Sequence, residues 1–175
     1  MVIELKALPQ AGLSKIGDCG PCCIGALAGV SAMQVYDDLF GGVKDGMDYD
    51  QVLKAIKFYS LEYNDSLPED IADHPRWKQW GRPGWFNFFE WFNNAYTKTC
   101  TGYVGIAQVN IKGTGLTDEY TDHWVLIKGV HFETNNYDDK LLVISCPTKG
   151  EYTIHVKEFL KNYGGYNTIW VKPKQ

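Results

Sequence analysis

A chain of 175 residues with 45% hydrophobic and 22% charged residues can bury a core of its own and has the composition of an ordinary globular protein. Its formal net charge of −4, with Lys and Arg scattered, argues against nucleic acid as a partner, and no apolar stretch approaches the length of a membrane span. Five irregularly spaced cysteines make no secreted disulfide framework, and the C-x-x-C pair Cys19/Cys22 lacks the second pair that a structural zinc needs. The first residues lack the apolar run and cleavage site of a signal peptide, so a cytoplasmic location is expected, with neither cofactor nor metal.

The string Gly17-Asp18-Cys19-Gly20-Pro21-Cys22-Cys23-Ile24-Gly25-Ala26-Leu27-Ala28-Gly29 predicts a buried helix over about 20–29, with Pro21 in the first turn, where its missing N–H costs nothing. Ser31 reads as the N-cap of a second helix carrying Val35, Tyr36, Leu39 and Phe40, stopped by Gly41-Gly42. A third helix is expected after Asp48 or Asp50, with Val52, Leu53, Ile56 and Tyr59 at helical spacing. Residues 66–83, with three prolines, read as an irregular surface loop. The aromatic run 85–94 reads as a core helix with Trp85, Phe88, Phe89 and Phe92 on its buried face and Phe86 and Trp91 on the flanks.

From Gly102 the pattern changes to strands, over 102–110, 123–130, 141–146, 152–156 and 167–171, with a short helix at 157–163 and a polar turn at 135–139 joining the second and third strands as a hairpin. Short connections between consecutive strands imply an antiparallel sheet. The expectation is one α+β domain over 1–175, with a helical half of about 1–100 packed on a sheet half of about 101–175.

The chemistry centres on Cys19. A thiol at the start of a helix faces unsatisfied N–H groups and the positive end of the dipole, and both favour the nucleophilic thiolate. Such a thiol needs a base. His74 falls in the prolyl loop, while His131 and His155 read as ordinary sheet residues. His123 opens the run Asp122-His123-Trp124-Val125-Leu126-Ile127-Lys128-Gly129 at the mouth of a strand that heads into the core, and it is the candidate base. Cys22 and Cys23 lie three and four residues further along the helix and read as core packing.

Asp18-Cys19-Gly20-Pro21 followed by a small-residue helix, with His123-Trp124-Val125-Leu126-Ile127-Lys128-Gly129 starting a strand 104 positions later, resembles the papain-like cysteine peptidases. Within them the chain is most similar to the bacterial double-glycine-leader (bacteriocin-processing) peptidases and their relatives. The resemblance runs from Asp18 to the end of the chain and includes Cys146-Pro147-Thr148-Lys149-Gly150 and the late Glu158-Phe159. It implies a cleft between a helical and a sheet half, a Cys19–His123 pair that cleaves a peptide or (iso)amide bond, a peptide or protein substrate, and a bacterial or phage setting. Trp77 and Trp80, in the loop before the aromatic helix, and Trp124 are candidates to line a substrate groove.

Two positions depart from the pattern. Cys146 stands where the family has the Asp that orients the histidine, so that a dyad, or help from Asp122, Asp118 or Glu119, is required. Leu13 stands six residues before Cys19, where the family has an oxyanion-binding Gln; the Cys19 N–H remains, and Gln10 can serve only if its loop folds back. A papain-like fold without activity, acting as a protein-binding module, is one alternative. Cys19-Gly20-Pro21-Cys22 also resembles the redox motif of thioredoxins, which would make the chain a thiol–disulfide oxidoreductase, yet no strand precedes it and the late Pro147 lies too far away.

Overall fold

Strand alternation builds the protein around one sheet with a core on each face. A computed structural model describes residues 2–15, 17–64, 85–110, 122–132, 140–163 and 168–174, and of 85–90, 110, 122, 132 and 161–163 the backbone alone. In chain order the described elements are α1 (Cys19–Ala28), α2 (Ala32–Phe40), α3 (Tyr49–Phe58), β1 (Tyr63–Asn64), α4 (Trp85–Cys100), β2 (Val104–Asn110), β3 (Asp122–Phe132), β4 (Lys140–Cys146), β5 (Gly150–His155), α5 (Val156–Tyr163) and β6 (Thr168–Val171). The strands form a sheet in the order β1-β6-β2-β3-β4-β5, and each neighbouring pair is antiparallel.

The period of two along each strand divides the apolar residues between the two faces. Val104, Ile106, Trp124, Leu126, Ile169 and Val171 pack with α1 and α3. The residues between them, Ala107, Val109, Val125, Ile127 and Trp170, pack with α4 and α5 on the other side. The predicted helix at 85–94 is present and extends to Cys100, but it lies on the sheet face opposite α1. Trp91, expected on a flank of that helix, is buried in the core, with its ring 6.1 Å from Phe159 and 6.3 Å from Trp170. The reason is geometric, since α4 meets both the sheet and α5, and its buried stripe is wider than one sheet contact requires.

Local signals hold the helices as the sequence suggests. Ser31 accepts from the Gln34 N–H, and Asp48, with Gln51, makes a reciprocal capping box. Gly29 ends α1 in the left-handed conformation at φ 75°. The segment 2–10 then ties the two sides of the site together. The Ile3 N–H bonds Lys128 O in β3, the Ala7 N–H bonds Ser145 Oγ in β4, and the Leu8 N–H reaches Cys22 O in α1. The expected surface loop at 66–83 and the turn at 135–139 lie outside the described residues.

Candidate active site

Asp18 decides where the nucleophile candidate sits. Its backbone carbonyl accepts the first bond of α1 from the Cys22 N–H, while its buried carboxylate turns away from the helix. That carboxylate accepts from the Leu13 N–H at 2.8 Å, the Ser14 N–H at 3.0 Å and the Tyr36 hydroxyl at 2.6 Å. Burial alone would raise its pKa; the Tyr36 hydroxyl and the Leu13 and Ser14 groups outweigh that and hold it below the usual value. A charged group so fixed draws Leu13 and Ser14 back to the residue in front of Cys19.

The chain also returns Gln10 to the site. The Asp18 N–H donates to Gln10 Oε1 at 2.6 Å. A backbone N–H can only donate, so the facing side-chain atom is the oxygen and the orientation of the amide is fixed. Nε2 is left as the outward donor, and it reaches Thr148 Oγ1 at 3.3 Å. The chain thus folds Gln10 back to the residue before Cys19, while Leu13 holds the expected position in sequence.

Cys19 opens α1 as predicted, but its thiol is not poised as a free thiolate. Burial pushes its pKa above the ordinary cysteine value, against the pull of the N–H groups of Trp124, Gly20 and Cys19 itself. The expectation from the helix start is therefore corrected: loss of solvation outweighs the donors. The Trp124 N–H on the thiol places Cys19 beside the first residues of β3. Cys23 makes a second tie, its Sγ lying 3.6 Å from Trp124 O.

His123 is buried, and its Nε2 lies 3.1 Å from Cys146 Sγ. Burial lowers its pKa to about 4. Cys146, at the end of β4, also accepts from the Lys149 N–H at 3.3 Å. The residue that replaces the expected Asp thus occupies the place of a partner to the imidazole. Trp124 is corrected as a groove residue. Its ring, 1% exposed, points to the α1 side and donates from Nε1 to Met47 O at 2.9 Å. One step of strand alternation separates it from His123. Trp77, Trp80, Asp118 and Glu119 lie outside the described residues, as does the side chain of Asp122.

Cys22 is fully buried, donates to Pro9 O at 3.3 Å, and has a pKa raised to about 12 by burial first and then by Asp18 and Cys19. A thiol held in that way is a poor partner for disulfide exchange, which speaks against the oxidoreductase reading. Beside Cys146 an open cleft of about 440 Å3 is lined by Lys6, Pro9, Cys146, Thr148, Lys149 and Glu151. It reaches Thr148, where the Gln10 amide ends.

Comparison with solved structures agrees on the architecture. The chain is similar to a double glycine motif protease from an AMS/PCAT transporter, solved in complex with the leader peptide, at a TM-score of 0.54 and 20% identity over 99% of this chain and 94% of that one. It is also similar to the peptidase domain of Streptococcus ComA, a bi-functional ABC transporter involved in quorum sensing, at a TM-score of 0.57 and 16% identity over 97% and 98% of the two chains. No protein-family model and no curated protein matches the sequence. The fold is α+β and papain-like, the fold of these peptidase domains.

Proposed function

We propose that the protein is a cysteine hydrolase that cleaves a peptide or amide bond with Cys19 as nucleophile and His123 as base. The observation that supports this reading is that Cys19 and the His123–Cys146 contact both adjoin the first residues of β3. The start of α1 brings a thiol against the Trp124 N–H, and the neighbouring His123 is held at Nε2 by the end of β4. With Nε2 engaged, Nδ1 is the nitrogen that takes the Cys19 proton as sulfur attacks the carbonyl carbon. The oxyanion that forms is met by the Cys19 N–H and by Gln10 Nε2, released from Thr148. Collapse breaks the C–N bond, Nδ1 returns its proton to the leaving amine, and water hydrolyses the thioester with His123 again as base.

Burial raises the pKa of the Cys19 thiol and lowers that of the His123 imidazole, so both shifts favour the neutral forms over a preformed thiolate–imidazolium pair. The fold of a domain solved with a leader peptide supports a peptide substrate, and a double-glycine sequence ahead of the scissile bond is the first to test. The same neutrality favours one second reading, a peptide-binding module without turnover.

The test is incubation with peptides carrying Gly-Gly before the scissile bond and with a broader peptide panel, read by mass spectrometry. Cleavage that disappears in both Cys19→Ala and His123→Ala supports the hydrolase. Binding of these peptides with no cleavage, and no covalent adduct on Cys19 with a peptide aldehyde, overturns it in favour of the binding module.

A further inference from the structure

The cleft beside Cys146 is charged against the sign of the chain as a whole. The sequence has a formal net charge of −4, yet the cleft brings together Lys6, from the N-terminal segment, and Lys149, from the turn between β4 and β5. Glu151 is the one carboxylate among its described lining residues, and it is already engaged. Its Oε2 lies 2.6 Å from the Nζ of Lys128, whose side chain is only 5% exposed. A cation so buried needs a counter-ion of its own, and Glu151 is that counter-ion. Lys6 acts on the same carboxylate but makes no ion pair with it among the described residues. Lys149 holds its Nζ 4.5 Å above the Tyr152 ring, which supplies no full counter-charge.

Backbone hydrogen bonds fix the chain on both sides of the cleft. The Ala7 N–H donates to Ser145 Oγ at 2.9 Å and the Gln10 N–H to Pro147 O at 3.0 Å, which pins the segment bearing Lys6 along the end of β4. The Lys149 N–H donates to Cys146 Sγ at 3.3 Å. Thr148 adds a hydroxyl, whose oxygen accepts from Gln10 Nε2 at 3.3 Å and whose hydrogen is left to donate. The cleft thus adjoins the site twice, through Thr148 to Gln10 and through Cys146 to His123.

We infer that this cleft is a subsite for an acidic side chain of the substrate, whose carboxylate meets the Lys6 and Lys149 ammonium groups and the Thr148 hydroxyl. Cleavage of such a substrate rests on the hydrolase reading above; capture of its carboxylate does not. The volume of about 440 Å3 lies in the ordinary range of ligand pockets. Lys6 and Lys149 are both exposed, so each ion pair adds little and is weakened by salt. A lysine at the same substrate position would meet like charges and be disfavoured.

The test uses C-terminally amidated peptides with Gly-Gly before the scissile bond, in which a Glu, a Gln or a Lys is moved one position at a time. Amidation leaves the side chain as the source of the carboxylate. At one position, kcat/KM for the Glu peptide is expected to exceed that for the Gln peptide about 2- to 10-fold, the size of one or two exposed ion pairs, with the Lys peptide lower still. Raising the ionic strength should bring the three together. Lys6→Gln and Lys149→Gln are each expected to reduce the ratio, and Lys6→Glu combined with Lys149→Glu to invert it. Equal rates for the three peptides at every position overturn the inference and leave the hydrolase standing. So does a preference that persists unchanged in both Gln variants with their melting temperatures preserved. If no peptide is cleaved, the same peptides carrying fluorescein are titrated onto Cys19→Ala protein and read by anisotropy. Tighter binding of the Glu peptide, lost in the lysine variants, then keeps the subsite while the hydrolase reading fails; no preference among the three overturns the subsite as well.

Discussion

At the scale of single residues, the site is assembled by groups whose roles depend on where the chain returns. Gln10 shows this most clearly. Its Oε1 is held by the Asp18 N–H, so its Nε2 is a positioned donor nine residues ahead of the nucleophile instead of six. Gln10→Ala is expected to lower kcat on the order of 10²–10³, the usual cost of one oxyanion donor, with little change in KM. The check that separates this from general damage is alkylation of Cys19, which forms no oxyanion and should slow far less than peptide cleavage. The position of Gln10 was readable in the sequence only as a condition, because the loop that satisfies it is made by Asp18 gathering two backbone N–H groups across five residues. The balance at Cys19 was not readable. The helix start signals a thiolate and the buried helix loss of solvent, and the sequence does not say which outweighs the other; the Trp124 N–H that also reaches the thiol comes from β3, more than a hundred positions away in the sequence.

At the scale of elements, periodicity carried the reading a long way. The three capped helices and the five longer strands lie within a few residues of their expected places, because their signals are local: Ser31 and Asp48 as caps, Gly29 as a stop, alternation within β2 and β3. The two-residue β1 has too little sequence to signal itself and exists by pairing with β6. Trp124 was misplaced for a related reason. Proximity to His123 in sequence suggests a shared cleft, but in a strand the adjacent residue faces the opposite layer. The position where α1 meets the N-terminal segment offers a test of packing. A Cβ on Gly25 would come within 2.6 Å of Val30 O and 2.8 Å of Leu8 Cδ1. The first is backbone and cannot move aside cheaply. Gly25→Ala is thus expected to destabilise the protein by about 1–3 kcal/mol despite alanine's better helix propensity, as thermal or denaturant unfolding would show. An unchanged or raised midpoint would mean that the Val30 backbone and the Leu8 side chain both give way at little cost.

At the scale of the whole molecule, the sheet sets a limit on acid stability that follows from what it buries. His123 is buried near the start of β3, with its pKa lowered from an unfolded value near 6.5 to about 4, by burial. A base with a depressed folded pKa binds its proton more readily in the unfolded chain. Its full stabilising contribution is therefore present above about pH 6.5 and is lost as the pH falls from there toward 4. The shift corresponds to about 3 kcal/mol at most, or a fall in melting temperature on the order of 5–10 °C for a chain of this size. Asp18 works over a lower window. Its folded carboxyl is held below the usual value, so it adds stability above the unfolded carboxylate range and loses it as the pH falls through the lowered folded pKa. The two groups can be separated by melting curves recorded between pH 7 and pH 3. In His123→Gln the slope from pH 6.5 to 4 should flatten while the steeper loss below remains; in Asp18→Asn the reverse should hold, from a lower starting midpoint because a buried charged acceptor is gone. If the two variants lose the same part of the curve, the acid sensitivity is a property of the surface as a whole. The sheet would then hold its histidine with less burial than the neutral resting pair requires.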